Sequence, residues 1–276
     1  MANIARLACR PSVKRIWCAG CGNGTILGAM VRAMHKMGLD PDRVAFISGV
    51  GCVGRASNYT DFDSMHTPHG RTIPPATGIK MSRPDMHVVI LTGDGDSVAI
   101  GGNHFIHAAR RNIDITLVIA NNMIYGMTGG QVAPTTEIGD LATTAPYGNI
   151  ERPFDICRLA ESAGATYVAR STTYHVLQMI QYIERAIRNK GFSVVEVMSQ
   201  CPTQYGRMNR IGDAVEMLKW LKERAISIER AKALAPDQLQ GKIVTGEFVN
   251  LERPELSEEY AKLIERARNR ENQRNL

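Results

Sequence analysis

Asp94, Asn122 and four of the six cysteines are the residues whose types and spacing could do chemistry. The apolar run "HVVILT" ends in Gly93-Asp94-Gly95, and after 25 more residues the run "ITLVIA" ends in Asn121-Asn122. A helix-length segment separates the two runs. If both are parallel strands joined by a right-handed crossover, the carboxylate and the amide oxygen meet at the carboxyl edge of a sheet, where open α/β folds bind ligands. That pair suits a hard divalent cation such as Mg²⁺, which also takes phosphate oxygens. Gly93 and Gly95 let the backbone approach a diphosphate closely.

The cysteines make a second constellation. Cys18 and Cys21 are spaced Cys-x-x-Cys in "IWCAGCGNG". Cys52 follows the apolar run "VAFIS" in "GVGCVGR", and Cys201 follows "SVVEVM" in "SQCPTQYG". Parallel strands would put Cys52 and Cys201 at the same edge as Asp94. If the loop of Cys18 and Cys21 folds over that edge, four thiolates converge. Four cysteines without a matching histidine pair fit a [4Fe–4S] cluster or a Cys₄ zinc site. Cys9 and Cys157 have no motif around them and read as small buried hydrophobes. Two rival readings fail on context. A thioredoxin-type redox pair needs a strand directly before it, and "RPSVKRIW" is a poor one. "GVGCVG" satisfies the dinucleotide fingerprint Gly-x-Gly-x-x-Gly, but "RASNYTDFDSMH" after it is a poor helix.

The elements that must position these residues are visible around them. "RVAFISG", "HVVILTG", "ITLVIAN" and "FSVVEVM" are short, apolar on both faces and rich in Val and Ile, as strands of a covered parallel sheet are. "GTILGAMVRAMHKMG", "SVAIGGNHFIHAARRN" and "YHVLQMIQYIERAIRN" have helical spacing and end in basic residues, Gly or Asn. The fold expected is α/β, a doubly wound, mostly parallel sheet. Residues 203–276 differ, with 14 Lys and Arg and 12 Asp and Glu in 74 positions. They read as a helical C-terminal extension of a domain spanning residues 1–202, with "DAVEMLKWLKERAISIERAKAL" as one amphipathic helix.

The chain has 276 residues and a formal net charge of +6, too mild and scattered to indicate nucleic acid. No apolar run approaches the ~18 residues of a membrane span, and the N-terminal residues carry no apolar segment of a secretory signal. The expected location is the cytoplasm, where a disulfide framework is not expected and Cys-x-x-Cys points to metal or catalysis.

Longer stretches carry a resemblance. Gly-Asp-Gly with Asn121-Asn122 at this spacing is similar to the motif of thiamine diphosphate enzymes. With "HTPHGRTIPPATGIK" (66–80), "GDGDSVAIGGNHFIHAARRN" (93–112) and "MIYGMTGGQVAPTT" (123–136), the chain resembles the β subunit of 2-oxoacid:ferredoxin oxidoreductases, from about Trp17 to Cys201. The resemblance implies a thiamine diphosphate-binding fold and selects the iron–sulfur reading, with Cys18, Cys21, Cys52 and Cys201 as ligands of a [4Fe–4S] cluster. It implies Mg²⁺ held by Asp94, Asn122 and the carbonyl of Ile124. Gly93, Gly95, Asp96, Tyr125, Gly126, Met127 and Thr128 would contact the cofactor on one side, with Thr128 at the diphosphate. Val50, Gly51, Cys52 and Val53 would line the other. His69 would lie near the reacting carbon. Arg55 would reach the substrate, where a guanidinium pairing a distal carboxylate favours 2-oxoglutarate over pyruvate.

The implied reaction is oxidative decarboxylation of 2-oxoglutarate with coenzyme A to succinyl-CoA and carbon dioxide, electrons passing through the cluster to ferredoxin, with the direction in the cell left open. Two alternatives stand beside it: the same reaction on pyruvate or another 2-oxoacid, and an iron–sulfur electron-transfer subunit without thiamine diphosphate. The glutamate such enzymes need against the aminopyrimidine ring has no candidate in this chain. In this family it comes from an α subunit, so the expected assembly is α₂β₂, with half of each active site here.

Overall fold

The structure, a computed structural model, describes Arg10 and residues 13–274. Cys9 lies outside the described residues. Ten strands and eight α-helices can be followed along them. In chain order they are α1 (Asn23–Lys36), β1 (Val44–Ser48), β2 (Asp63–His66), α2 (Ile73–Ser82), β3 (His87–Gly93), α3 (Gly102–Arg111), β4 (Ile115–Asn121), β5 (Ile124–Tyr125), β6 (Gln131–Val132), α4 (Ile156–Ala163), β7 (Tyr167–Thr172), α5 (Val176–Arg188), β8 (Phe192–Met198), α6 (Ala214–Arg224), β9 (Ala225–Ser227), α7 (Ile228–Ala231), β10 (Ile243–Asn250) and α8 (Leu256–Arg274).

Eight strands form one sheet in the order β2-β1-β3-β4-β8-β7-β10-β9. The first six run parallel, and β10 closes antiparallel on β7. The core strands are buried on both faces because alternate side chains meet different helices. Phe46, Val89, Leu91, Val118 and Val195 pack with Met30 and Met34 of α1 and Ile183 of α5. Their neighbours Ile47, Ile90, Leu117, Ile119 and Val194 pack on the other face with Phe105 of α3, Ile156 of α4 and Ile73 of α2. The doubly wound α/β fold read from the strand pattern is therefore the one present.

The segment after residue 202 differs from a purely helical extension. Residues 213–234 do not make one helix. Asp213 and Glu216 form a reciprocal capping box that starts α6, but the chain leaves the helix at Ala225, because Ala225–Ser227 pair with Ile243–Thr245 as β9. Ser227 then accepts a hydrogen bond from Arg230 N and starts the short α7. β10 pairs with β7 and packs Val249 into the second core. Among the described residues no helix is long and apolar enough to cross a membrane.

Candidate functional site

Parallel pairing sets the strand ends side by side. Ser48 pairs with Leu91, Gly93 with Ala120, and Asn121 with Met198, so the loops after β1, β3, β4 and β8 leave from one edge. Those loops enclose a cleft of roughly 630 Å³. Val50, Gly51, Cys52 and Val53 form one wall, and Gly93 to Asp96 the floor. Asn122 and Ile124 to Thr128 form the opposite wall, with His69 at the rim. The structure thus brings together every residue expected to touch the cofactor. Asn23, in the first turn of α1, and Ala120 join them. The sequence reading missed Asn23, although a polar residue opening a 14-residue helix is a signal for an anion-facing N-terminus.

Asp94 is buried, and its Oδ2 accepts a hydrogen bond from the Thr135 hydroxyl. Burial pushes its pKa up to about 6, against the pull of that hydrogen bond. The two asparagines divide the work. Asn121 turns inward: its amide donates to Glu196 Oε1 at 2.7 Å, and its Oδ1 accepts from Met123 N at 3.1 Å. Asn122 faces the cleft, with its Oδ1 3.3 Å from Ile124 N. Between them Met123 holds φ +60°, a left-handed turn fixed by the Thr136 hydroxyl donating to its carbonyl at 2.7 Å. A carboxylate, a side-chain amide and the start of β5 therefore face one space, a hard oxygen donor set that fits Mg²⁺.

The inward asparagine rests on a buried charge network. Arg170 Nε donates to Glu196 Oε2 at 2.6 Å, and another guanidinium nitrogen donates to Asp155 at 2.5 Å. Cys157 donates its thiol to Glu196 at 3.3 Å and is fully buried, as read from its lack of a motif. Asp155, Cys157 and Glu196 are the one trio of candidate metal ligands among the described residues with ligand atoms within 4.8 Å of one another. The guanidinium already supplies the cation there.

Cys18, Cys21, Cys52 and Cys201 line a second cavity of about 740 Å³. It shares Cys52, Asn122, Gly126 and Met127 with the cleft. Gly126 sits between thiols: a Cβ there would lie 3.5 Å from Cys201 Sγ and 3.9 Å from Cys52 Sγ. Trp17 pins the loop, donating its indole N–H to the Cys52 carbonyl at 2.6 Å and meeting the Tyr59 ring edge-on at 4.9 Å. No three of these thiols fall within the 4.8 Å that the Asp155 trio meets. One zinc ion with Zn–S bonds of about 2.3 Å would draw them closer than that. Burial, then the neighbouring thiols, push Cys21 up to about 12 and raise Cys52. A strong cationic centre would offset that rise at Cys21 and Cys52. A multi-iron cluster fits both the wider spread and the all-thiol donor set.

Arg55 does not line the cleft. It lies in a 3₁₀ turn (Val53–Asn58), with its Nε buried and without a hydrogen-bond partner. No glutamate lines the cleft among the described residues.

The family described as "Thiamine pyrophosphate enzyme, C-terminal TPP binding domain" matches residues 20–197. A relative from Methanocaldococcus jannaschii, "2-oxoglutarate synthase subunit KorB", is 53% identical over 91% of this chain and 93% of its own. The Saccharolobus solfataricus "2-oxoacid:ferredoxin oxidoreductase subunit beta" is 41% identical over 68% of this chain and 62% of its own. This chain belongs to the 2-oxoacid:ferredoxin oxidoreductase β subunits. The family's fold is the one described above. A solved 2-oxoglutarate:ferredoxin oxidoreductase from Magnetococcus marinus, with 2-oxoglutarate, coenzyme A and succinyl-CoA bound, superposes with a TM-score of 0.85 and 35% identity, covering 97% of this chain and 92% of that one.

Proposed function

We propose that this chain is the β subunit of a 2-oxoglutarate:ferredoxin oxidoreductase that forms succinyl-CoA and carbon dioxide from 2-oxoglutarate and coenzyme A. The observation that carries the proposal is the wall shared by the two cavities. Cys52, Asn122, Gly126 and Met127 line both the oxygen-donor cleft and the four-cysteine cavity. A centre for carbonyl chemistry and a one-electron acceptor would lie on either side of one shared wall.

Thiamine diphosphate, when bound, supplies carbanion stabilisation beside a carbonyl, and an iron–sulfur cluster supplies one-electron acceptance. The chain's own residues do the rest. Asp94, Asn122 and the Ile124 carbonyl would hold Mg²⁺ against the diphosphate, and Thr128 would reach the same phosphates. Val50 to Val53 and Tyr125 exclude water from the middle of the cleft. Cys18, Cys21, Cys52 and Cys201 would hold a [4Fe–4S] cluster, from which electrons leave to ferredoxin. A partner α subunit would supply the glutamate against the aminopyrimidine ring in an α₂β₂ assembly. The location follows the function, in the cytoplasm.

Arg55 is proposed to meet the distal carboxylate of the substrate. A buried guanidinium nitrogen without an acceptor among the described residues supports an anion there. Arg55→Ala should lower kcat/KM for 2-oxoglutarate roughly 10- to 150-fold more than for 2-oxobutyrate, which has no distal carboxylate. An equal loss on both substrates would leave Arg55 with an electrostatic role only.

The deciding experiment is anaerobic purification of the chain with its partner subunit. Extraction should yield thiamine diphosphate, iron and sulfide. Turnover on a panel of 2-oxoacids, with coenzyme A and a viologen dye, should favour 2-oxoglutarate. Iron and sulfide without thiamine diphosphate would leave an electron-transfer subunit, and faster turnover of pyruvate would move the substrate assignment.

A further inference from the structure

Asp96 stands two residues beyond Asp94, yet its carboxylate is turned away from the metal ligands. Its side chain is 1% exposed and joins its own segment to three others, four in all. Oδ1 accepts from His69 Nδ1 and, at 2.7 Å, from Gly70 N. Oδ2 accepts from the Thr92 hydroxyl at the end of β3. The fourth segment is the loop after β1, where Gly49 passes so close that a Cβ would fall 1.7 Å from Oδ2. Three donors on two oxygens use the carboxylate purely as an acceptor.

His69 is the exposed end of this knot. Its ring is 37% exposed at the cleft rim and meets Tyr125 edge-on at 6.4 Å between centroids. Gly95 leaves room for that tyrosine, since a Cβ there would fall 2.1 Å from the Tyr125 ring. Nδ1 is committed to Asp96 and must carry a proton to donate. The other nitrogen, Nε2, has no partner among the described residues. The ring is held by one buried bond and one aromatic edge, and it lines the cleft.

We propose that Asp96 is a positioning residue: it locks His69 in the tautomer with Nδ1 protonated, so that Nε2 accepts a proton from the keto oxygen of a 2-oxoacid. The proposal rests on the function proposed above and deepens it. The keto oxygen gains a proton when its carbon is attacked and must give it up when the acyl product forms. Nε2 carries no proton in that tautomer, so it takes the proton that the keto oxygen releases as the acyl product forms and passes it to solvent, which also supplies the proton gained on attack. Asp96 then acts through histidine, as the buried carboxylate of a hydrolase triad does, with its own oxygens committed to His69, Gly70 and Thr92.

The test is a double-mutant cycle on the cofactor-loaded complex, paired with calorimetry of thiamine diphosphate binding to the same proteins. Asp96→Ala should lower kcat on 2-oxoglutarate about 100-fold or more and leave KM within about threefold, the size expected for loss of a positioned proton-transfer group. In a His69→Ala background the same substitution should change kcat by less than about threefold. Asp96→Asn should recover at least about tenfold over Asp96→Ala: its Oδ1 can still accept from Nδ1 and Gly70 N while its amide donates to Thr92. Thiamine diphosphate affinity should stay within about threefold of the unsubstituted complex in every variant. If Asp96→Ala fails to fold, the cycle is run with Asp96→Asn, again with no further loss expected once His69 is alanine. Additive losses would overturn the proposal, as would weakening of thiamine diphosphate binding by Asp96→Ala as deep as that from Asp94→Ala. Failure of the unsubstituted complex to bind thiamine diphosphate would instead sink the underlying function.

Discussion

At the scale of single residues, the cleft depends on groups with one narrow task each. Asp94 is buried, and desolvation holds its pKa near 6 in the cation-free chain. A bound cation favours the ionised form, so below that pH binding must displace a proton. Mg²⁺-dependent affinity for thiamine diphosphate should therefore be flat above about pH 7 and fall by about tenfold per pH unit once the pH drops well below the Asp94 value. Asp94→Ala should weaken binding at least about tenfold, or about 1.4 kcal/mol, and abolish that pH dependence; both are read by calorimetry. Single Ser replacements at Cys18, Cys21, Cys52 or Cys201 should lower iron and sulfide content, while Cys157→Ser, remote from that cavity, should not. An iron-free, zinc-loaded protein from anaerobic purification would overturn the cluster assignment. Much of this was legible in residue type and spacing: Asp94 and Asn122 stand at the ends of unmistakable strands. Thr135, Glu196 and Asp96's hold on His69 were not, because each acts across a long stretch of sequence through a hydrogen bond that no local pattern encodes.

At the scale of elements, β3, β4 and β8 could be read because both of their faces are apolar, whereas β7 and β10 were hidden. β7 carries Arg170 in its middle, and a charge in a strand reads as a surface position until its partners Glu196 and Asp155 are known. β10 holds Gly246 and Glu247, has a bulge between Glu247 and Val249, and is only half buried. The amphipathic stretch after Asp213 looked like one helix because the pull that breaks it, pairing of Ile226 with Val244, comes from 18 residues further on. The network these strands build supports the turn at Asn121 and Met123. Glu196→Ala would leave Arg170 buried beside Asp155 alone and free the Asn121 amide. It should cost about 3–5 kcal/mol in chemical denaturation, the usual penalty for orphaning one partner of a buried pair. Gly49→Ala places a methyl group on the Asp96 carboxylate and should cost about 1–3 kcal/mol through overpacking.

At the scale of the whole molecule, the charged C-terminal segment is less separate than its composition implies. β10 covers the outer edge of β7, and Arg170 reaches across to the Val244 carbonyl and lies 5.3 Å from the centre of the Phe248 ring. Removing residues 243–276 should bare the β7 edge and strip Arg170 of those contacts. The truncated chain should elute as aggregates on size exclusion, whereas removal of the exposed turns of α8 beyond residue 262 should leave the elution unchanged. A monodisperse, cofactor-binding chain ending before β10 would show the segment to be dispensable.

The antiparallel closure by β10 also bears on how the protein is made. Ile243 follows Cys201 by 42 residues, which at about 5–20 residues per second take roughly 2–8 seconds to synthesise. Throughout that interval a nascent chain has its cysteines, Asp94 and Asn121 already translated, but not the strand that braces Arg170 and, through Glu196, the turn that carries Asn122. Insertion of the proposed cluster and cofactor would then wait for β10, and the unfinished β7 edge would be the surface that a chaperone has to shield first.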